Sequence, residues 1–460
     1  MAFPEVLETF FNRWADLMWG TPLVVLLVGG GLYFMIHSAF RPYRYFGHAI
    51  NLVLGKYSLK DDPGSIPHSQ ALSTALSGTL GLGNIAGVAI AISVGGPGSI
   101  FWMWVTAIVG VSTKFYTASL SVMYRHQDLN GQIYGGPMYV IMNGMGKKWY
   151  PLAALFAGAC MIGALPVFQA NQFVQLLRDV VAQPLNLASQ ENHFLFDLFV
   201  SSGVAFLVFI IIRGKIYSIG SFAVKAVPLM VVAYLFMTFI VVGTHFDKVL
   251  SVFRLIIADA FSGSAVAGGS LATVIMIGVR RGAFSNEAGI GTESMAHGTA
   301  KTREPIREGL VAMLGPVIDT LIMCTCTAFI ILLTGVWQTA EDSYGVTLTM
   351  LALESIFPIF GQYFLLFMVG LLSLSTMVTM WFYGIRSAVF LFGGRGESFY
   401  TPIYLALLVV GSVVSLDLVN GLILATFATM AIPTMISAIY LSPKVKAASR
   451  KYFQNLGAES

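Results

Sequence analysis

Eleven apolar runs, each long enough to cross a bilayer, constrain this 460-residue chain more than any other feature. A crossing helix takes about 20 mostly apolar residues. The runs fall at approximately 21–37, 69–94, 99–124, 152–177, 194–212, 219–243, 250–280, 307–335, 359–385, 400–416 and 418–441. Only 10% of the residues are charged, against about 25% in an ordinary soluble domain. That is too few to clothe a soluble protein of this length, whereas a lipid-facing surface needs no charged shell. The expected class is an all-α polytopic membrane protein with 11 transmembrane helices.

The basic residues sort by side. With the N-terminus outside, 20 of the 26 Lys and Arg fall in segments that face the cytoplasm, and four (Arg13, Arg178, Lys248 and Arg254) lie at the outer side. The expected placement is therefore a bacterial or archaeal cytoplasmic membrane, with the C-terminus inside. The net charge of +4 is too small and dispersed to suggest nucleic acid. Cys160, Cys324 and Cys326 all lie in apolar stretches and offer neither a disulfide framework nor zinc-ligand spacing. The opening MAFPEVLETFFNRW lacks the basic flank and cleavage site of a signal peptide, so the spans themselves are expected to direct insertion.

The longest polar loops, about 38–68 and 281–306, leave no room for a catalytic domain, so function is expected within the membrane. Glycine interrupts two spans, in SGTLGLGNIAG at 77–87 and SGSAVAGGS at 262–270. Freed backbone groups at membrane depth are tolerated only where protein or a cavity satisfies them. The two spans are five apart, so five-helix blocks at 69–243 and 250–441 would run in opposite directions, as in secondary transporters built from inverted repeats with broken first helices. Residues 1–68 then form an N-terminal helix and cytoplasmic loop, and 442–460 a cytoplasmic tail. The competing explanation is that small residues simply allow close helix packing.

Residues 95–110 read GGPGSIFWMWVTAIVG, which resembles the signature of the alanine or glycine:cation symporter family. The likeness extends through ALSTALSGTLGLGNIAGVAIAI (71–92), YGGPMYVI (134–141), FQANQ (168–172), RRGAFSNEAGIG (280–291) and GLVAMLGPVIDTLIMCTCTA (309–328). It implies sodium-coupled import of small neutral amino acids on the fold of the bacterial leucine transporter, with one extra helix in front and no cofactor beyond the coupling sodium. Gly81-Leu82-Gly83-Asn84 also resembles the broken first core helix of that transporter. The chain departs from its family in three places. Met380 stands where the family has tryptophan, with Trp381 one place later, and many relatives have glutamate at the places of Thr117 and Ile385.

A zwitterion at mid-membrane must have both charges compensated. Half-helix N-termini offer N–H groups and half-helix C-termini offer carbonyls. The substrate carboxylate is thus expected on the backbone around Thr79, Gly81 and Gly83, and its ammonium on carbonyls around Val266, Ala267 and Gly268. Phe168, Gln169 and Asn171 follow Pro166 and combine an aromatic wall with amides, which suits a small pocket. An interhelical hydrogen bond is the plainer role for such an amide. The resemblance adds Met380 as lid or floor. Sodium prefers oxygen ligands. By the spacing of the leucine transporter, these would be Leu372, Ser375 and Thr376, joined by backbone oxygens of Ser77 and Leu80. Of the charges in or near spans, Lys114, Asp259, Asp319 and Glu287, a gate of Lys114 with Glu287 is the expectation.

No H-E-x-x-H, paired-aspartate or G-x-S-x-G motif supports an intramembrane enzyme. Broken helices also line ion channels, but conduction needs ligands in series. The remaining alternative among carriers is a larger neutral substrate such as glutamine, favoured by Met380 in place of tryptophan. The expected partners are a small neutral amino acid, sodium and the bilayer.

Overall fold

The computed structural model describes residues 3–59, 61–128, 131–189, 192–262, 271–339 and 345–459. It is an all-helical bundle apart from a two-stranded ribbon, His126–Gln127 against Ile133–Tyr134. Its outer faces carry exposed Phe199, Phe206, Phe236, Phe239 and Phe367, the surface that hydrocarbon rather than water would solvate.

The chain opens with α1 (Phe3–Met18) and α2 (Thr21–His37), bent by 52° at the intervening turn. A short helix, α3 (Phe46–Val53), leads to α4 (His68–Thr79) and α5 (Gly83–Gly95), two halves of one span bent by 53°. Next come α6 (Gly98–Met123), α7 (Tyr150–Gly163), α8 (Val167–Leu177), α9 (Phe194–Ile212) and α10 (Lys215–Thr244). The second half holds α11 (Val249–Ser262), α12 (Leu271–Asn286), the short α13 (Glu293–His297) and α14 (Pro305–Thr334). It ends with α15 (Val346–Ile356), α16 (Phe360–Phe392), α17 (Gly394–Val413) and α18 (Leu416–Glu459).

Among the described residues seven helices are long and apolar enough to span a membrane, or nine when each bent pair counts as one span, so the structure does not confirm the expected eleven. The two expected spans that fall short are 99–124 and 250–280. The first is α6, whose buried Thr106, Ser112, Thr113, Lys114, Thr117, Ser119 and Ser121 lower its hydropathy. A helix enclosed by other helices needs partners for polar groups rather than an apolar surface. The second divides into α11 and α12, with 263–270 between them outside the described residues.

At 44 residues α18 extends about 66 Å, twice the hydrocarbon thickness. Its far end docks on α3, where Phe453 stacks on Tyr45 with centroids 4.0 Å apart and Tyr452 Oη lies 2.6 Å from His48 Nε2. The thiols of Cys160, Cys324 and Cys326 are free and buried.

Candidate functional site

The first break falls at Leu80–Leu82, where Leu80 turns extended (ψ 91°) and ends α4. Asn84 recloses the chain by accepting the Gly81 N–H at its Oδ1 (2.9 Å). Its Nδ2 reaches Asp319 Oδ1 (2.7 Å) and Ser285 Oγ (3.1 Å). Ser285 and Thr320 hydroxyls donate to the other Asp319 oxygen at 2.8 and 2.7 Å. The buried Asp319 carboxylate thus ties α5 to α12 and α14 through neutral donors, which supplies the partners that sequence left open. Asp259, the other acid whose partner the sequence left open, accepts the Gly98 N–H at 2.7 Å.

A second break was expected at 262–270, of which 263–270 lie outside the described residues. Val266, Ala267 and Gly268, expected to hold the ammonium, lie there. Within the described residues the chain breaks elsewhere, between α12 and α13. Glu287 (φ 54°), Gly289 (φ 88°) and Gly291 (φ 100°) adopt left-handed conformations there. Left-handed backbone ends a helix at little cost in glycine and at real cost in glutamate. The Thr292 hydroxyl donates to the Glu287 carboxylate, and Thr434 Oγ1 donates to Ile290 O at 2.8 Å, so neighbouring side chains hold the unwound turn.

A cavity of about 370 Å³ lies between the two breaks. It is lined by Thr79, Gly81 and Gly83, by Phe168 and Gln169, by Phe284 and Glu287, and by Thr376, Met380 and Phe427. Phe284 packs edge-on to Phe168 and tilted to Phe427, at 6.0 and 5.5 Å. Six of the sequence-predicted substrate residues therefore converge on one space: Thr79, Gly81, Gly83, Phe168, Gln169 and Met380. Asn171 does not. Its Nδ2 donates to Gly411 O (3.1 Å) and Val414 O (2.8 Å), fastening α8 to α17. Trp381 also turns away, with Nε1 on Thr401 Oγ1 at 3.1 Å, and lines a separate cavity of about 350 Å³ beside Arg386. Sequence reasoning missed Phe284 and Glu287 as cavity residues, although both sit in the quoted RRGAFSNEAGIG stretch.

Beside the cavity, seven oxygens of five residues gather where α4 meets α16. Thr376 Oγ1 lies 3.1 Å from Ser77 O and 3.3 Å from Leu80 O. Ser375 Oγ lies 3.0 Å from Leu372 O and 3.5 Å from Ser77 O. The Ser77 hydroxyl closes the cluster by donating to Ser375 O at 2.9 Å. Carbonyls and hydroxyls with no carboxylate suit a hard cation of single charge, because neutral oxygen dipoles compensate its desolvation without leaving a net negative site.

The gate expected from Lys114 and Glu287 is not an ion pair. Among the described residues no contact within 4.0 Å joins them, and Lys114 is buried against α14, where a Cβ on Gly315 would lie 3.1 Å from its ammonium. The ends of α4 and α13 away from the cavity are instead joined through Glu308. Its two carboxylate oxygens take His68 Nδ1 and, at 2.6 Å, His297 Nδ1. Arg125 reinforces this end by donating to Ala300 O, Thr302 O and Pro63 O at 2.9 to 3.1 Å.

Two broken helices around a small cavity, with oxygens clustered at the first break, describe the architecture of a solute carrier. The profile of the sodium:alanine symporter family matches residues 4–460. The chain belongs to that family. Its relatives include the sodium/alanine symporter AgcS of Methanococcus maripaludis, 33% identical, with 96% of each chain covered. A protein named as a probable sodium/glutamine symporter, GlnT of Bacillus subtilis, is 34% identical, with 97% of this chain and 91% of that one covered. Among solved structures, MhsT in complex with L-phenylalanine superposes with a TM-score of 0.62 at 14% identity, covering 83% of this chain and 91% of the other. The fold is accordingly that of the leucine-transporter class, and this member of the sodium:alanine symporter family is a transporter rather than an enzyme.

Proposed function

We propose that the chain imports a small neutral amino acid together with sodium, with the amino acid in the cavity between the breaks and sodium at the Ser77, Leu80, Leu372, Ser375 and Thr376 oxygens. The observation that carries this reading is the Thr376 hydroxyl, which meets two carbonyls freed by the first break and also lines the cavity. One residue thereby couples cation and substrate. The amino-acid carboxylate is assigned to the backbone at Thr79, Gly81 and Gly83. Because the Gly81 N–H is engaged by Asn84, the carboxylate would share or displace that bond. The ammonium is assigned to the Glu287 carboxylate, whose charge makes it a stronger partner than a carbonyl.

The reading includes one N-terminal helix and two inverted repeats, 69–243 and 250–441, in a cytoplasmic membrane with the C-terminus inside, as the Lys and Arg distribution supports. The name of AgcS, a sodium/alanine symporter, supports alanine. Glutamine is the second substrate reading, favoured by the flexible Met380 wall and by the name of GlnT.

Inward movement of one net charge across 100 mV contributes about 2.3 kcal/mol, roughly 50-fold accumulation before any sodium gradient is added. Uptake of labelled alanine by proteoliposomes should cease when choline replaces sodium. Uptake that persists on a pH gradient without sodium would overturn the coupling. Competition by a panel of unlabelled amino acids separates alanine from glutamine.

A further inference from the structure

Glu293 is the first residue of α13 and is fully buried. One carboxylate oxygen accepts the Thr117 hydroxyl of α6 at 3.2 Å, and the other has no hydrogen-bond partner among the described residues. A buried carboxylate oxygen left bare is costly, because nothing replaces the water it has lost. The Tyr383 hydroxyl, on the buried face of α16, is also without a partner among the described residues. It packs against α4 at the cavity wall, where a Cβ on Gly78 would lie 3.3 Å from its oxygen, and it stands in the field of Glu287 and Glu293. Two unsatisfied polar groups of complementary kind thus lie within electrostatic reach of each other without bonding.

The surrounding charges sharpen the point. Glu287 and Glu293 interact with each other, while Lys114 of α6 and Asp319 of α14 also act on Glu287. Three buried carboxyl groups and one buried ammonium thus share this interior region.

We propose that Glu293, buried with one bare oxygen beside Thr117, is the site of a second coupling cation, a sodium ion or a proton, that travels with each amino acid. This rests on the reading of the chain as a sodium-coupled carrier and extends it with a binding site distinct from the Thr376 oxygens. A proton on the bare oxygen would turn it into a donor, and a sodium ion would use it as a ligand. Either removes the unpaired acceptor.

The test uses the full chain in proteoliposomes with the membrane potential clamped at zero, and reads steady-state accumulation of labelled alanine. One arm applies a tenfold sodium gradient at equal pH, the other a pH gradient of one unit at equal sodium. Glu293→Gln should lose about tenfold accumulation in one arm only, one ion's share of the driving force, and the arm affected names the cation. Accumulation equal to wild type in both arms would overturn the site. If Glu293→Gln carries no flux, the exchange Thr117→Glu with Glu293→Ala decides, since it returns a carboxylate to the same contact: recovery supports the site, and continued inactivity overturns it. A wild-type chain that accumulates alanine in neither arm would instead sink the underlying carrier reading.

Discussion

At the scale of single residues, Thr376 is the most exposed to test, because its hydroxyl meets both Ser77 O and Leu80 O. Thr376→Val keeps the volume and removes the ligand. It should raise the sodium concentration for half-maximal uptake by up to about tenfold, the worth of one hydrogen bond, with a smaller effect on substrate affinity at saturating sodium. Unchanged sodium activation in both Thr376→Val and Ser375→Ala would remove the cluster from the cation pathway. Met380 and Trp381 form a second pair of opposed expectations. Met380 lines the central cavity and Trp381 does not, so Met380→Trp should overpack it by about 1–3 kcal/mol, excluding larger side chains while glycine and alanine are retained. Trp381→Ala should leave the competition panel unaltered, and a widened panel would reverse the roles. The same helical geometry explains one misplacement. Gln169 and Asn171 are two residues apart, about 200° around a helix, so they cannot both face one cavity. Their amide chemistry was legible in the sequence, but the neighbour awaiting each, cavity or α17 carbonyl, depended on tertiary packing.

At the scale of elements, the breaks matter more than the helices they divide. A Cβ on Gly81 would lie 2.8 Å from Thr376 Oγ1, so Gly81→Ala must push that hydroxyl from its carbonyls or shift α16. Uptake should fall more steeply than in Thr376→Val, since both the oxygen cluster and the cavity wall are disturbed. Uptake no worse than in Thr376→Val would show the two helices to be more loosely packed. The Glu308 junction binds α4 to α13, and Glu308→Ala leaves two buried histidines without their partner. Destabilisation of about 3–5 kcal/mol is expected, read as a lower melting temperature in detergent. An unaltered melting temperature would mean that water satisfies the histidines. The first break was legible in sequence because glycine crowds a span at 77–87. The break at 287–292 was not, although its motif was in view: one of its three left-handed residues is glutamate, and Thr292 within it and Thr434 from α18 hold it open. Glycine content found the cheap break and missed the one held by tertiary contacts. Apolar length alone likewise does not confirm all eleven spans, since α6 is set apart by what encloses it rather than by its hydropathy.

At the scale of the whole molecule, the distribution of Lys and Arg proposes a sidedness that the bundle alone does not carry. The exposed turn at Asp247 then lies outside, and exposed Ala447, on the long α18, lies in the cytoplasm. The enclosure of Cys160, Cys324 and Cys326 bears directly on this. With its three native thiols screened from the aqueous phases, the natural chain is already a silent background for chemical labelling, and no cysteine-free version has to be made and checked for function. A single cysteine placed at either position should be the one thiol that a charged, membrane-impermeant maleimide reaches. Asp247→Cys should react in intact cells, and Ala447→Cys only after permeabilisation. The opposite pattern would invert the molecule in its membrane, turning the proposed importer's entrance into its exit.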